Sequence, residues 1–248
     1  MAEPSPHQQR LEKQRDNLRL LNQVMRHDIR NDLQLVGAYA ELLEEHVDEE
    51  GREYLRIIKE STESAANLTT AARDLAQVML SPNGETEAVS LAGILNQQIE
   101  EIRSGYPEAV MSVDGSVPDL DVVGNDMLGS VFRNVLQNAI QHNDKTPPKV
   151  WVSATERDEY AEVRIADNGP GISDTQKAEI FGKGEKGLES SGAGIGLYLV
   201  QSLIDSYGGE VWVEDRKARD SSGDWLSTHD SEIDGAIFVI RLPIADKV

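Results

Sequence analysis

The chain has 248 residues, enough for two modest domains, and its 39% hydrophobic and 27% charged content predicts a soluble protein with a real core. It contains no cysteine, which excludes disulfide frameworks, thiol nucleophiles and cysteine-ligated zinc. Its 44 acidic and 24 basic residues leave a net charge of −20, and a surface this negative repels nucleic acid and anionic lipid.

Lysine is scarce, with 9 Lys against 15 Arg. That balance matches a salt-adapted proteome, in which carboxylates keep the surface hydrated, and it points to a halophilic archaeon as the source. No apolar run approaches the roughly 20 residues a membrane span needs. The first residues, MAEPSPHQQR, lack the apolar stretch of a secretory signal. A cytoplasmic location is therefore expected, for a whole protein or for the cytoplasmic part of a longer one.

Residues 7–80 hold no proline and only two glycines, Gly37 and Gly51. Apolar side chains recur at helical spacing through Leu18, Leu21, Met25, Ile29, Leu33, Val36, Ala40 and Leu43. The polar run DEEGRE at 48–53 interrupts them. A second stripe follows through Leu55, Ile58, Ala65, Leu68, Ala72, Leu75 and Met79. The spacing predicts a two-helix antiparallel hairpin over residues 1–80. Alone, a hairpin cannot cover both stripes, so two copies are expected to form a four-helix bundle in a homodimer.

Residues 81–86, SPNGET, read as a linker. Beyond it, residues 87–248 mix strands and helices. Helices are predicted at Leu91–Ile102, Asn125–His142 and Ala193–Tyr207. Strands are predicted at Ala109–Val113, Leu120–Val123, Val150–Thr155, Ala161–Ala166, Val211–Glu214 and Ala236–Leu242. A polar, glycine-rich stretch fills 168–191, and an acidic loop fills 216–234. The fold class expected is α+β: the helical hairpin, then an α/β sandwich with helices on one face of a sheet.

Two glycine clusters and one helix carry the chemistry of this second part. Asp167-Asn-Gly-Pro-Gly171-Ile follows a strand, and Gly192-Ala-Gly194-Ile-Gly196-Leu opens a helix. Glycine lets backbone approach a ligand closely, and a helix N-terminus aims free N–H groups at phosphate. A GxGxG run also serves simply as a turn before a helix. No Gly-Lys-Ser/Thr follows, so the cluster is not a P-loop. Asn134 and Asn138 stand four apart on one face of the helix Asn125–His142. Two amides on an apolar helix cost stability unless satisfied, and amide oxygens are suitable hard ligands for Mg²⁺.

The order Asn134-xxx-Asn138, DNGPGI, Ile180-Phe181-Gly, GAGIGL resembles the ATP-binding domain of histidine kinases. Gyrases, MutL-type repair proteins and chaperone ATPases share that domain. The resemblance covers roughly residues 86–243 and implies ATP as substrate. It assigns Asp167 to the adenine amino group, with Gly169, Gly171 and Ile172 against the base and ribose. Asn138 becomes the magnesium ligand and Asn134 its support. Residues 172–191 become a lid over the nucleotide, fastened by the buried ring of Phe181. Gly192, Gly194, Gly196 and Leu197 line the phosphates, and Lys183 and Lys186 are candidate phosphate partners in the lid. Family members often carry a basic residue and then an aromatic after the magnesium asparagine. Here those positions are Gln141, which brings no charge, and His142, which can stack on adenine.

The first domain selects among these relatives. His27 lies in Met25-Arg-His-Asp-Ile-Arg-Asn31, with Asp28 beside it and Asn31 one turn further along the same face. This resembles the phosphoacceptor box of dimeric sensor histidine kinases, although the proline many members carry shortly after the box is missing until Pro82. The interval of 107 residues from His27 to Asn134 suits a hairpin plus a linker. The resemblance implies autophosphorylation of His27 from Mg-ATP, with Asp28 as general base, and transfer to an aspartate of a response-regulator receiver domain. Asn31 would serve phosphatase activity, and an upstream sensor domain or protein would supply the signal. His7, His46 and His229 lack an acid beside them or a helical setting. Two rivals stay open: a gyrase-like ATPase without phosphotransfer, and a pseudokinase scaffold that only docks a receiver.

Overall fold

The computed structural model describes residues 29, 31–80, 86–177, 179–182, 193–216 and 235–245. The hairpin is present. Helix α1 covers residues 31–43, one tight turn follows at Glu44–His46, and α2 runs Glu49–Leu80. The reversal falls at 44–48 and so ends where the DEEGRE run begins. Asp48 explains the boundary: its carboxylate accepts from the Gly51 amide at 2.9 Å and so caps α2. Glu49 and Glu50 then sit in the first turn, where negative charge suits the helix dipole. Across the hairpin Lys59 pairs with Glu44 at 2.6 Å.

Ala40 and Leu55 are buried, but much of the two apolar stripes is not. Ile29 is exposed before α1, as are Leu35, Val36, Tyr39, Leu42 and Leu43 on α1, and Ile57, Ile58 and Leu68 on α2.

The second part is the predicted sandwich. A short antiparallel pair, β1 (Glu87–Ser90) with β3 (Asp121–Gly124), stands apart from the main sheet. The main sheet joins β2 (Val110–Val113), β4 (Lys149–Glu156), β5 (Tyr160–Asp167), β6 (Glu210–Asp215) and β7 (Ala236–Pro243) in the order β2-β4-β5-β7-β6. Only β2 and β4 run parallel. Helices α3 (Leu91–Gly105), α4 (Leu128–Gln141) and α6 (Ala193–Ser206) cover one face. A one-turn helix α5 (Asp174–Lys177) lies in the glycine-rich stretch.

Period-two alternation sets the faces of the sheet. Val150, Val152, Val163, Ile165, Phe238 and Ile240 point into the core with Phe132, Leu136 and Leu199 of the helices. On the other face Trp151 and Trp212 flank Ala166, Ile237 and Val239. The Arg241 guanidinium is stacked there, 4.6 Å from the Trp212 ring centroid. Strand β1 escaped the sequence reading because it has four residues, three of them exposed, and no alternation to betray it. Among the described residues, no helix is long and apolar enough to cross a membrane.

Candidate functional site

The site is assembled between α4, the end of β5 and the start of α6. Helix α4 buries Val131, Phe132, Val135, Leu136 and Ala139, which fixes its rotation and leaves Asn134 and Asn138 together on a neighbouring face. The Asn134 amide donates to the Ser130 carbonyl at 2.7 Å, which fixes the orientation of its side chain. Gly196 of α6 packs directly on the amide oxygen: a Cβ at 196 would meet Asn134 Oδ1 at 2.6 Å. Asn138 differs. Its Nδ2 is buried and lacks a hydrogen-bond partner, so the protein leaves this amide unsatisfied. A buried amide whose N–H₂ group lacks a protein partner can donate to a phosphate oxygen, while its Oδ1 is the atom suited to a bound cation.

Asp167 ends β5 and is 7% exposed. Its Oδ1 accepts the Gly169 amide at 2.8 Å and the Ala236 amide at 3.2 Å. Burial pushes the carboxyl above its ordinary pKa, and the two amides and the Arg216 cation oppose that rise. The second oxygen is left for a ligand donor such as an exocyclic amine. Gly171 takes φ 73°, a conformation side chains rarely adopt, so the turn after Asp167 requires glycine there. The half-buried Ile172 packs on the core.

Phe181 is half-buried and meets Phe238 of β7 edge to face, with centroids 6.3 Å apart. Leu197 is buried, and Gly194 falls in the first turn of α6. The Gln141 side-chain amide donates to the Tyr106 hydroxyl at 2.7 Å and to Glu63 at 3.4 Å. His142 is exposed at the end of α4. His27, Asp28, Lys183, Lys186 and Gly192 lie outside the described residues. Asn31 is exposed on α1.

Two contributors were not foreseen. Asn168 accepts the Lys149 amide at 2.7 Å and the Asn143 side-chain amide at 2.9 Å, tying the loop after α4 to the glycine turn. Gly235 brings β7 so close that a Cβ there would meet the Asp167 carbonyl at 1.9 Å. Its approach delivers the Ala236 amide to the carboxylate. Position 235 ends an acidic loop, and a lone glycine there carries no periodicity to mark it.

Paired amides on one helix, a buried carboxylate ending a strand, a glycine turn and a glycine-opened helix come together here in an arrangement suited to a nucleotide. The family described as "Histidine kinase-, DNA gyrase B-, and HSP90-like ATPase" matches residues 124–246. The "His Kinase A (phospho-acceptor) domain" matches residues 17–79. The chain therefore carries the two-domain core of a two-component histidine kinase.

The adaptive-response sensory kinase SasA of Thermosynechococcus vestitus is 26% identical over 219 residues, covering 80% of this chain and 56% of that protein. The mycobacterial sensor histidine kinase MprB is a structural neighbour with 25% identity and TM-score 0.53, over 64% of this chain and 98% of the other. The structure of full-length ShkA in complex with AMPPNP aligns over 91% of this chain and 46% of its own, with TM-score 0.56 and 24% identity, a likeness of fold. The chain spans from 24% to 56% of the length of the curated relatives SasA, BaeS and KdpD.

Proposed function

We propose that this core phosphorylates itself on His27 from Mg-ATP and then passes the phosphoryl group to an aspartate of a response-regulator receiver domain. The observation that carries the reading is the unsatisfied Asn138 amide beside Asn134 and Gly196, within a chain that also matches the phospho-acceptor domain. In the proposed step a lone pair on the neutral His27 ring forms the new N–P bond. The bond from γ-phosphorus to the bridging oxygen breaks, ADP leaves, and Asp28 takes the proton from the other ring nitrogen. Magnesium held at Asn138 would neutralise phosphate charge. Asp167 holds the adenine, Asn134 supports Asn138, and the glycines at 192, 194 and 196 admit the phosphates to backbone amides.

The division into a hairpin (1–80), a linker (81–86) and an ATP-binding domain (87–248) belongs to the same proposal. So does homodimerisation, which the exposed apolar side chains of α1 and α2 support: a second hairpin would cover them. An upstream sensor would act through the hairpin. Asn31 is proposed to hold a water in line with the regulator's acyl phosphate through one donor and one acceptor. Asn31→Ala then keeps autophosphorylation and loses regulator dephosphorylation, while Asp28→Asn does the reverse. The acidic, lysine-poor surface supports a salt-adapted, cytoplasmic protein.

Incubation with γ-labelled ATP tests the reading. Protein-bound label that is labile in acid and stable in base supports phosphohistidine. Free phosphate alone supports a gyrase-like ATPase, and neither product supports a scaffold.

A further inference from the structure

Helices α3, α4 and α6 cover one face of the main sheet, and on the other face the strand registers line up side chains in rows. Trp151, Ala166, Ile237 and Glu214 form one row across β4, β5, β7 and β6. Two residues further along each strand stand Lys149, Asn168, Gly235 and Arg216. The Asn168 amide donates to the Lys149 carbonyl at 3.2 Å, and the Arg216 amide to the Gly235 carbonyl at 3.0 Å. Glycine at 235 leaves a gap in this second row. The Arg216 guanidinium lies over the Trp151 ring, 4.1 Å from its centroid. Together with Lys145 and Thr146 from the loop before β4, Lys149, Trp151, Asn168 and Arg216 line a pocket of about 410 Å³.

The chemistry of this pocket is one-sided. Three of its lining residues are cations and none is acidic, in a chain of net charge −20. Elsewhere on the same face the cations are neutralised: Arg164 pairs with Glu162 and Glu214, and Arg241 with Glu162 and Glu210. Among the described residues the Lys149 ammonium meets no carboxylate within ion-pair distance. Lys145 pairs with its neighbour Asp144 at 3.5 Å, a long contact between two side chains about half exposed. Asn168 adds a fixed donor. Its Oδ1 is taken by the Lys149 backbone amide at 2.7 Å and the Asn143 side chain at 2.9 Å, so its Nδ2 is left to donate.

We propose that this pocket is a second anion site, for a small molecule that carries two linked phosphate groups. Lys145, Lys149, Arg216 and Asn168 would share the phosphate oxygens by charge-assisted bonds. One phosphate carries about −1.5 to −2 charge near neutral pH, so two linked groups match three cations better than one. A nucleic acid or an anionic membrane would meet the acidic surface around the pocket, whereas a small molecule meets the pocket alone. The site is distinct from the nucleotide site. Asp167 pairs with the core residue Val150 and so falls on the helix-covered side, while Asn168 falls on the other. Adenine carboxylate and anion site thus stand back to back on consecutive residues, and a ligand in the pocket bears on the turn that carries Asp167.

Pyrophosphate is the probe, measured by equilibrium dialysis against the full chain in moderate KCl without magnesium. Enough ADP is present to fill the nucleotide site. One pyrophosphate is expected to bind per chain, and orthophosphate to bind more weakly. Lys145→Gln and Lys149→Gln change exposed side chains and are each expected to weaken pyrophosphate about tenfold. Arg157→Gln removes an exposed cation just beyond the other end of β4 and is expected to change nothing. ADP affinity, measured separately, should be the same in all three variants as in the parent. The proposal is overturned if ADP abolishes pyrophosphate binding, if the lysine variants bind like the parent, or if Arg157→Gln weakens binding as much as they do. Orthophosphate binding as tightly as pyrophosphate would overturn the two-phosphate assignment.

Discussion

Gly196 lies against Asn134 so closely that the two positions form one unit: a Cβ on residue 196 would stand 2.6 Å from Asn134 Oδ1. The Asn134 amide cannot retreat freely, because its Nδ2 is bonded to the Ser130 carbonyl at 2.7 Å. Gly196→Ala should therefore twist Asn134 away from its role beside Asn138. We expect ATP affinity by calorimetry to fall about tenfold, ~1.4 kcal/mol, with a small change in melting temperature. Unchanged affinity would show that Asn134 is not part of the nucleotide site.

Asp167→Asn should separate binding from stability. The amide can still accept from Gly169 and Ala236 but presents a donor where the adenine amine needs an acceptor. One unmatched buried pair costs roughly 1–3 kcal/mol, about 5- to 150-fold in affinity. Stability should move the other way. Burial raises the folded carboxyl's pKa, so its contribution is most favourable below the unfolded value and is lost as pH rises through the folded value. At neutral pH the charged group is a cost, and the variant should melt no lower than the parent. By the same shift, ATP binding should begin to weaken on acidification above the ordinary aspartate range. A marked fall in melting temperature at pH 7 would contradict this account.

The reach of the sequence was uneven. Helix α4 was legible because Val131, Val135 and Leu136 repeat at helical spacing, but its start slipped three residues. Asn125 turns back on the Met127 amide at 2.9 Å instead of entering the helix. Asp167 was legible from the glycines around it. Its partner amide at Ala236 was not, because 69 residues separate the two and only the pairing of β5 with β7 unites them. The buried setting of Asp74 on α2 was invisible for the same reason: a carboxylate within a polar-looking helix reads as solvated until α4 is laid against it and Ser130 and Arg133 donate to its Oδ2 at 2.8 and 2.7 Å.

Gly235→Ala tests that unforeseen contact. The residue has φ 123°, and an added methyl would meet the Asp167 carbonyl at 1.9 Å. We expect loss of soluble, cooperatively melting protein, or at the least a melting temperature lowered by several degrees, together with lost ATP binding. A variant that melts and binds like the parent would mean that β7 can withdraw without disturbing Asp167.

Salt should stabilise the chain. At 1 M the screening length is about 3 Å, which mutes repulsion among its 44 acidic residues. Melting followed in dilute and in molar KCl is expected to show a rising midpoint. A flat or falling midpoint would remove the salt-adapted reading.

The central claim is that His27 receives the γ-phosphoryl group. The most direct measurement is the stoichiometry of acid-labile, base-stable label after incubation with Mg-ATP, compared between the parent and His27→Gln, with ATP affinity measured in parallel. The account predicts label on the parent, none on His27→Gln, and equal ATP affinity for both. Undiminished label on His27→Gln would contradict it.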